Sequence, residues 1–436
     1  MRKFLLPLAG ILSLSAFAEV KVLKNFTLID GTGKAAIADV GMVIENGRIT
    51  RIGSAANIKP PAGAEVIDLT GKFVMPGIIN VHGHVGNTVD MSQNAKFYTR
   101  ENIEKNLRTY ASYGVTTVLS LGTDQDLIFQ IRDEQRAGRP AFARIYTAGQ
   151  GFTIKGGVGG TPPGTYNLED AGEIRKDVDA LAAKKVDMVK IWVDDALGKR
   201  KKMPLALSKA IIDNAHRNRL RVSAHVFYLA DAKELVNAGV DALAHSVRDA
   251  PVDQELIGSM KKHHTWQAAA TLTREASMFV YAQPFPLLKD IFFSRSLSPA
   301  VIANLNDPTN QQKISSDPDF AKFPVFLETA QKNLKLLADA GVPYGLGTDS
   351  GPPGRFPGFF EQWEMELMVD AGLTPTQVIV AATKSGAEFL RASDLGTLET
   401  GKWADLIVLN ANPAANIKNT RTIDSVYIAG NRVEIR

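Results

Sequence analysis

The sequence predicts an α/β protein in which a parallel (β/α)8 barrel is inserted into a small β-sandwich built from both chain ends. Two patterns lead to this expectation. Between residues 78 and 347, eight short apolar runs alternate with segments of helical period, as parallel strands joined by crossover helices do. On either side of that stretch, strand-like runs and turn residues occur without a helical period. With 436 residues there is room for one large barrel and a small second domain. A formal charge of +4, from 50 basic and 46 acidic residues, is too balanced to argue for nucleic acid or an anionic membrane as partner. There is no cysteine, so disulfides are excluded and any metal must be held by nitrogen and oxygen.

Residues 1–18 read as a signal peptide. Arg2 and Lys3 precede an apolar stretch from Phe4 to Leu14, and Ala16-Phe17-Ala18 forms a small-x-small cleavage pattern. Export to a bacterial periplasm or exterior is therefore expected, with the charge falling to +2 once Arg2 and Lys3 are removed. No other apolar run approaches bilayer length, so no membrane partner is expected after signal removal.

The first part of the sandwich, 19–75, contains strand-like runs at Val22 to Leu28, Gly41 to Glu45, Arg48 to Gly53 and Glu65 to Leu69, with Asn46-Gly47 as a hairpin turn. The barrel, 76–392, offers strands at Ile78 to Val81, Val115 to Leu121, Arg144 to Ala148, Met188 to Val193, Arg221 to Ala224, Ala242 to Ala244, Thr265 to Ala270 and Tyr344 to Gly347. Helices are expected between them, among them Asn102 to Tyr113, Leu168 to Lys185, Leu205 to Asn218, Leu229 to Ala238 and Pro324 to Ala340. The second part of the sandwich, 393–436, has strands at Ala404 to Leu409 and Ile423 to Ile428, followed by the turn Gly430-Asn431. The glycine run from Gly156 to Gly164 lacks the lysine of a phosphate loop and reads as a mobile loop over the site. The segment from Glu275 to Phe323 is too long for a simple connection and reads as a lid or wall.

In a parallel barrel the chemistry sits at the C-terminal ends of the strands. His82 and His84 end the first strand, two apart and on one face. Lys190 lies inside the apolar fourth strand, where a lysine is costly unless it is paired, modified or snorkels outward. His225 ends the fifth strand, His245 the sixth, and Asp349 follows the eighth beside glycines. His216, His263 and His264 fall on a polar helix face or at the wrong end of the barrel. Tyr228 and Arg248, each three residues after a site histidine, are candidate substrate contacts.

The stretch Pro76-Gly77-Ile78-Ile79-Asn80-Val81-His82-Gly83-His84 resembles the signature of the amidohydrolase superfamily, Pro-Gly-x-hydrophobic-Asp-x-His-x-His, with Asn80 at the aspartate position. The segment from Gly396 to Leu406 is similar to a recurring C-terminal stretch of that superfamily, and the set His82, His84, Lys190, His225, His245 and Asp349 is similar to its binuclear branch. The wording around Gly347-Thr348-Asp349-Ser350-Gly351 is similar to the prolidase-like and imidazolonepropionase-like groups. The resemblance implies a TIM barrel in which Lys190 is carboxylated and shared by two divalent metal ions, zinc by preference, with manganese or cobalt also suited. His82, His84, Lys190 and Asp349 would hold one metal, and Lys190, His225 and His245 the other. It further implies hydrolysis of amide bonds in dipeptides or N-acyl amino acids by a metal-bridged hydroxide, with Asp349 carrying the proton to the leaving amine. A mononuclear cyclic-amide hydrolase or deaminase, or a lactone or carbamate hydrolase on the same site, is the alternative. A periplasmic binding protein would lack ligands, and all six are present. The partner is then a small-molecule substrate, with a homo-oligomer open. Asn80 is expected to orient a ligand histidine or neighbouring backbone and to alter metal affinity without abolishing the site.

Overall fold

The computed structural model describes residues 19–160 and 162–434; the expected signal peptide lies outside the described residues. From the N-terminal side, β1 (Val20–Leu28) pairs antiparallel with β2 (Ile37–Glu45), and β2 with β3 (Arg48–Ser54). Their connection is Asn46-Gly47, with φ of 50° and 82°, the left-handed pair that a tight hairpin requires. Beyond this hairpin, β1 takes two parallel partners. Lys21 to Lys24 pair with β4 (Glu65–Asp68), and Thr27 and Leu28 with β5 (Phe73–Pro76). The switch falls at Asn25, φ 63°, where the register with β2 shifts and the strand turns away from its first partner.

The fully buried β6 (Ile78–Gly83) starts the second region, followed by a small hairpin of β7 (Thr88–Val89) and β8 (Ser92–Gln93). Eight further strands come next: β9 (Val115–Ser120), β10 (Arg144–Thr147), β11 (Gly151–Ile154), β12 (Thr165–Leu168), β13 (Val189–Trp192), β14 (Val222–His225), β15 (Ala242–Leu243) and β16 (Trp266–Gln267). They pair in parallel as two sheets, β10-β9-β6 and β12-β11-β13-β14-β15-β16. Helices such as Arg100–Ser112, Leu205–Arg217 and Leu229–Asn237 lie between them, close to the ranges the pattern predicts. The eighth apolar run joins through isolated bridges, Gln267 to Tyr344 and Gly83 to Ser350, and through the bond from Val81 N–H to Leu346 O at 2.9 Å. It is built of glycine where it touches its neighbours: a Cβ on Gly347 would lie 2.5 Å from the Ala269 Cβ and 2.9 Å from the His82 Cβ.

The chain then returns to the first sheet. There β17 (Leu406–Leu409) pairs antiparallel with β5 and with β18 (Ile423–Ile428), which pairs with β19 (Asn431–Arg432). Both chain ends thus share one eight-stranded sheet, β19-β18-β17-β5-β1-β2-β3 with β4 on β1. Strand pairing joins the two ends into one sheet that branches at β1, because the bulge lets one strand serve two partners. It closes over Leu23, Phe26, Val40, Leu406 and Tyr427.

Two elements depart from the sequence pattern for physical reasons. Leu168, expected to open a helix, ends β12, whose pairing with β11 overrides local propensity, and the helix runs Ile174–Ala183. The helix Phe359–Asp370 has no counterpart in the sequence pattern: Phe359, Phe360, Glu361, Gln362, Glu364 and Met365 are all buried, so it shows no one-sided apolar stripe. The expected wall at 275–323 is mostly short helices, held by an aromatic cluster of Tyr281, Phe285, Phe293, Phe356 and Phe359. Among the described residues no helix is long and apolar enough to cross a membrane.

One largely buried ion pair locks the terminal sheet to the parallel strands. Arg144, on β10, donates from Nε to Asp405 Oδ2 at 2.6 Å and from Nη2 to Oδ1 at 3.1 Å, and Asp405 Oδ1 also accepts the Ala429 N–H. Removing one partner leaves an uncompensated buried charge. Arg144→Met is accordingly expected to cost about 3 kcal/mol in urea denaturation; a loss below about 1 kcal/mol would mean the two regions dock without this pair.

Candidate metal centre

The strand ends at β6, β14 and β15, together with the segment after Tyr344, bring His82, His84, His225, His245 and Asp349 to one cavity of about 400 Å³. All five are buried. Neighbouring imidazoles are in contact, with ring centroids 5.6 Å apart for His82 and His84, 4.7 Å for His82 and His245, and 4.1 Å for His225 and His245. His82, His245 and Asp349 each offer a ligand atom within 4.8 Å of the other two.

Hydrogen bonds fix which nitrogen of each ring is free. A carbonyl oxygen only accepts, so Nδ1–H of His82 donates to Ala244 O at 2.9 Å, and Nδ1–H of His84 to Gly122 O at 3.2 Å. The Thr271 hydroxyl donates to Ala270 O at 2.7 Å and is therefore left to accept from His245 Nδ1–H at 2.8 Å. His225 is turned the other way: its Nε2–H donates to Asp194 Oδ2 at 2.8 Å. The lone pairs that remain are Nε2 on His82, His84 and His245, and Nδ1 on His225. Partners on the opposite nitrogen hold metal-binding imidazoles in this manner.

Burial keeps the rings of His82, His225 and His245 neutral. It holds His82 and His245 well below the usual histidine range, and lowers His225 to about 4 against the opposing pull of Asp194. Asp349 behaves oppositely: burial resists its ionisation, but the Arg355 guanidinium opposes that and the carboxyl is held well below the usual range. Its backbone is left-handed, φ 56°, and its N–H donates to His82 O at 2.7 Å, so the eighth segment is tied to β6 at the point of strain. Oδ1 lies 2.9 Å from His84 Nε2 and 3.6 Å from His82 Nε2. With His84 protonated on Nδ1, that contact sets a lone pair against a carboxylate, which a proton or a cation shared by both relieves.

Lys190 lies behind this group on β13, with no exposed surface. Among the described residues its Nζ has no hydrogen-bond partner. The Trp192 ring is 5.4 Å from it, and burial lowers its pKa to about 7.

Asn80 does orient backbone, as expected: its Oδ1 accepts the His82 N–H at 2.9 Å. The missing carboxylate is supplied from elsewhere. Glu361 Oε1 accepts from Asn80 Nδ2 at 2.7 Å, Thr348 Oγ1 at 2.6 Å and Ser350 Oγ at 2.7 Å, joining β6 to the segment that carries Asp349.

The two expected substrate contacts do not line the cavity. Tyr228 is held outside it, its hydroxyl donating to Asp195 Oδ1 at 2.8 Å with Lys202 over the ring. Arg248 is fully buried, donating to Val226 O at 2.8 Å and Ser246 O at 2.9 Å and pairing with Glu275 at 3.0 Å, so it braces loops. Two arginines that the sequence pattern does not single out, Arg274 and Arg355, line the cavity instead. Their signal is position alone: both lie in segments that follow the C-terminal ends of the seventh and eighth apolar runs. The glycine run also reaches the wall. Gly159, φ 124°, lies against Trp192, where a Cβ would come within 2.9 Å of the ring.

A profile of the amidohydrolase family matches residues 73–433. The chain belongs to that family. This amidohydrolase is 23% identical to an imidazolonepropionase of Streptomyces griseus over 417 residues, which is 93% of this chain and 95% of that protein. It superposes on the crystal structure of a candidate prolidase from Bifidobacterium longum with a TM-score of 0.74 at 25% identity, covering 95% of this chain and 94% of that one. A Xaa-Pro dipeptidase solved with methionine in its active site gives 0.75 at 22% identity, covering 95% and 100%. The likeness shows an α/β fold of amidohydrolase type, and membership of the family, rather than the fold, marks the chain as a hydrolase of the carbon–nitrogen-bond class.

Proposed function

We propose that this amidohydrolase cleaves amide bonds of the peptide or N-acyl amino acid kind, using two divalent metal ions and a carboxylated Lys190. The reading includes a closed (β/α)8 barrel over 76–392, flanked by 19–75 and 393–436, and export through residues 1–18. It is carried by Lys190: a buried amine with no hydrogen-bond partner among the described residues, set among imidazoles and a carboxylate, is accounted for once carboxylation makes it an anionic ligand. The donor set, imidazole nitrogens and carboxylate oxygens without sulfur, fits zinc, manganese or cobalt.

His82, His84, Lys190 and Asp349 would hold one metal, and Lys190, His225 and His245 the other. When bound, the metals supply Lewis acidity, polarising a scissile carbonyl and lowering the pKa of water. The chain's own part is placement and proton handling. Asp349 is ionised and faces the cavity, so it can accept a proton there and return it to a leaving amine. Arg355 donates to its other oxygen at 2.5 Å, which fixes the carboxylate and weakens it as a base. The wall formed by Val158, Gly159, Gly160 and Gly164 restricts water on one side.

One observation favours a second reading. The tight cluster of histidines and carboxylates comprises His82, His245 and Asp349 without His225, as a single-metal cyclic-amide hydrolase would need. Metal analysis of the loaded protein and its native intact mass separate the two. Two metals per chain and an added carboxyl group are expected, with turnover of dipeptides or N-acyl amino acids in a substrate screen. One metal on an unmodified lysine would establish the second reading, and activity confined to lactones or carbamates would overturn the substrate class.

A further inference from the structure

We infer that Arg274 and Arg355 form a clamp for a carboxylate of the substrate, so that the bond cleaved lies near a free acid group. This deepens the amide-hydrolase reading and rests on it. Arg274 sits in the Leu272–Ser277 helix just after β16, and Arg355 six residues beyond Asp349; both line the cavity that holds the histidines. Both reach the same oxygen, Asp349 Oδ2, Arg355 Nη1 at 2.5 Å and Arg274 Nε at 3.8 Å, so the two guanidinium groups occupy one wall.

Their bonding leaves most of their capacity unused. A guanidinium has five N–H donors. Among the described residues, Arg355 hydrogen-bonds only Asp349 through its side chain, and Arg274 only Glu275, at 2.5 Å. Arg274 Nε is sealed from solvent without a hydrogen-bond partner. Glu275 is itself shared with Arg248, 3.0 Å away, so two carboxylates, Glu275 and Asp349, serve three arginines on this side. Guanidinium groups that served packing alone would spend their donors on the chain, whereas free planar donors on the wall of a cavity match a carboxylate monoanion. Asp349 is moreover claimed as a metal ligand in the reading above, which leaves Arg355 with still less neutralisation from the chain.

The test compares N-acyl amino acids with the same compounds as C-terminal carboxamides, on the metal-loaded enzyme and on Arg274→Met and Arg274→Lys. The wild type is expected to favour the free acids by about 100-fold in kcat/KM, as charge-assisted recognition allows. Arg274→Met should bring that ratio to within about threefold, mainly through KM for the acids, and Arg274→Lys should keep an intermediate preference. Equal turnover of acids and carboxamides by the wild type, or an undiminished preference in folded Arg274→Met, overturns the clamp and leaves amide hydrolysis standing. If no amide is hydrolysed, calorimetric binding of N-benzoylglycine against N-benzoylglycinamide decides. Acid-selective binding that Arg274→Met abolishes supports the clamp while the hydrolysis reading falls; equal binding of both compounds overturns the clamp. Should Arg274→Met not fold, the wild type alone decides: a preference for acid over carboxamide supports the clamp, and its absence overturns it.

Discussion

Lys190→Met is expected to abolish turnover and, at the same time, to make the metal-free protein more stable. The Lys190 amine is without exposed surface and has no hydrogen-bond partner among the described residues, so the metal-free fold bears its desolvation uncompensated. Methionine fills a similar volume with apolar atoms, and relieving an unsatisfied buried group is worth about 1–3 kcal/mol. The pH dependence has a definite sign. The folded pKa, about 7, is below the usual lysine value of 10.5, so between those pH values the unfolded chain holds more protons. The wild type therefore carries the full penalty below pH 7 and gains stability as pH rises from there towards 10.5. Urea denaturation of metal-stripped protein at either end of that window should show this slope in the wild type and its absence in Lys190→Met. Turnover goes the other way, because losing several kcal/mol of metal-assisted stabilisation costs about three powers of ten in rate. A methionine variant that kept its metal content and its turnover would remove Lys190 from the site.

The second large effect is expected at Asn80. Glu361 Oε1 accepts a hydrogen bond from the Asn80 amide at 2.7 Å, and burial already raises the Glu361 pKa. Asn80→Asp restores the residue of the family signature but sets two buried carboxylates face to face, and one of them must then bind a proton. The expected cost is about 3–5 kcal/mol near neutral pH, the scale of an uncompensated buried charge. It should grow as pH rises above the ordinary carboxylate range, because the folded pair then holds a proton that the unfolded chain has released. Asn80→Asp with Glu361→Gln exchanges acid and amide and should recover most of the loss, giving a strongly favourable coupling in a double-mutant cycle. Additive losses in the four denaturation curves would show that Asn80 and Glu361 do not act as one unit.

Much of this protein could be read from local spacing. The two-residue period turned His82, in β6, and His84, one residue past its end, towards one point, and apolar runs ending in His225 and His245 located β14 and β15 to within a residue or two. The Asn46-Gly47 hairpin and the helices with one apolar face were similarly legible, because each is set by neighbours within a few positions. The helix carrying Glu361 was not, since burial on all sides erases the periodicity that reveals a helix.

By itself, then, the sequence determined which histidines stand at the strand ends and the residue types available to a metal. Tertiary structure alone decided how they are poised. His82 takes its free nitrogen from a carbonyl 162 positions away, and Asn80 finds its carboxylate 281 positions away. It also decided that Arg274 and Arg355, rather than Tyr228 and Arg248, face the cavity. The physical reason is common to all of these: a lone pair's direction, a buried charge's partner and a loop side chain's heading are fixed by atoms that meet only when distant segments pack.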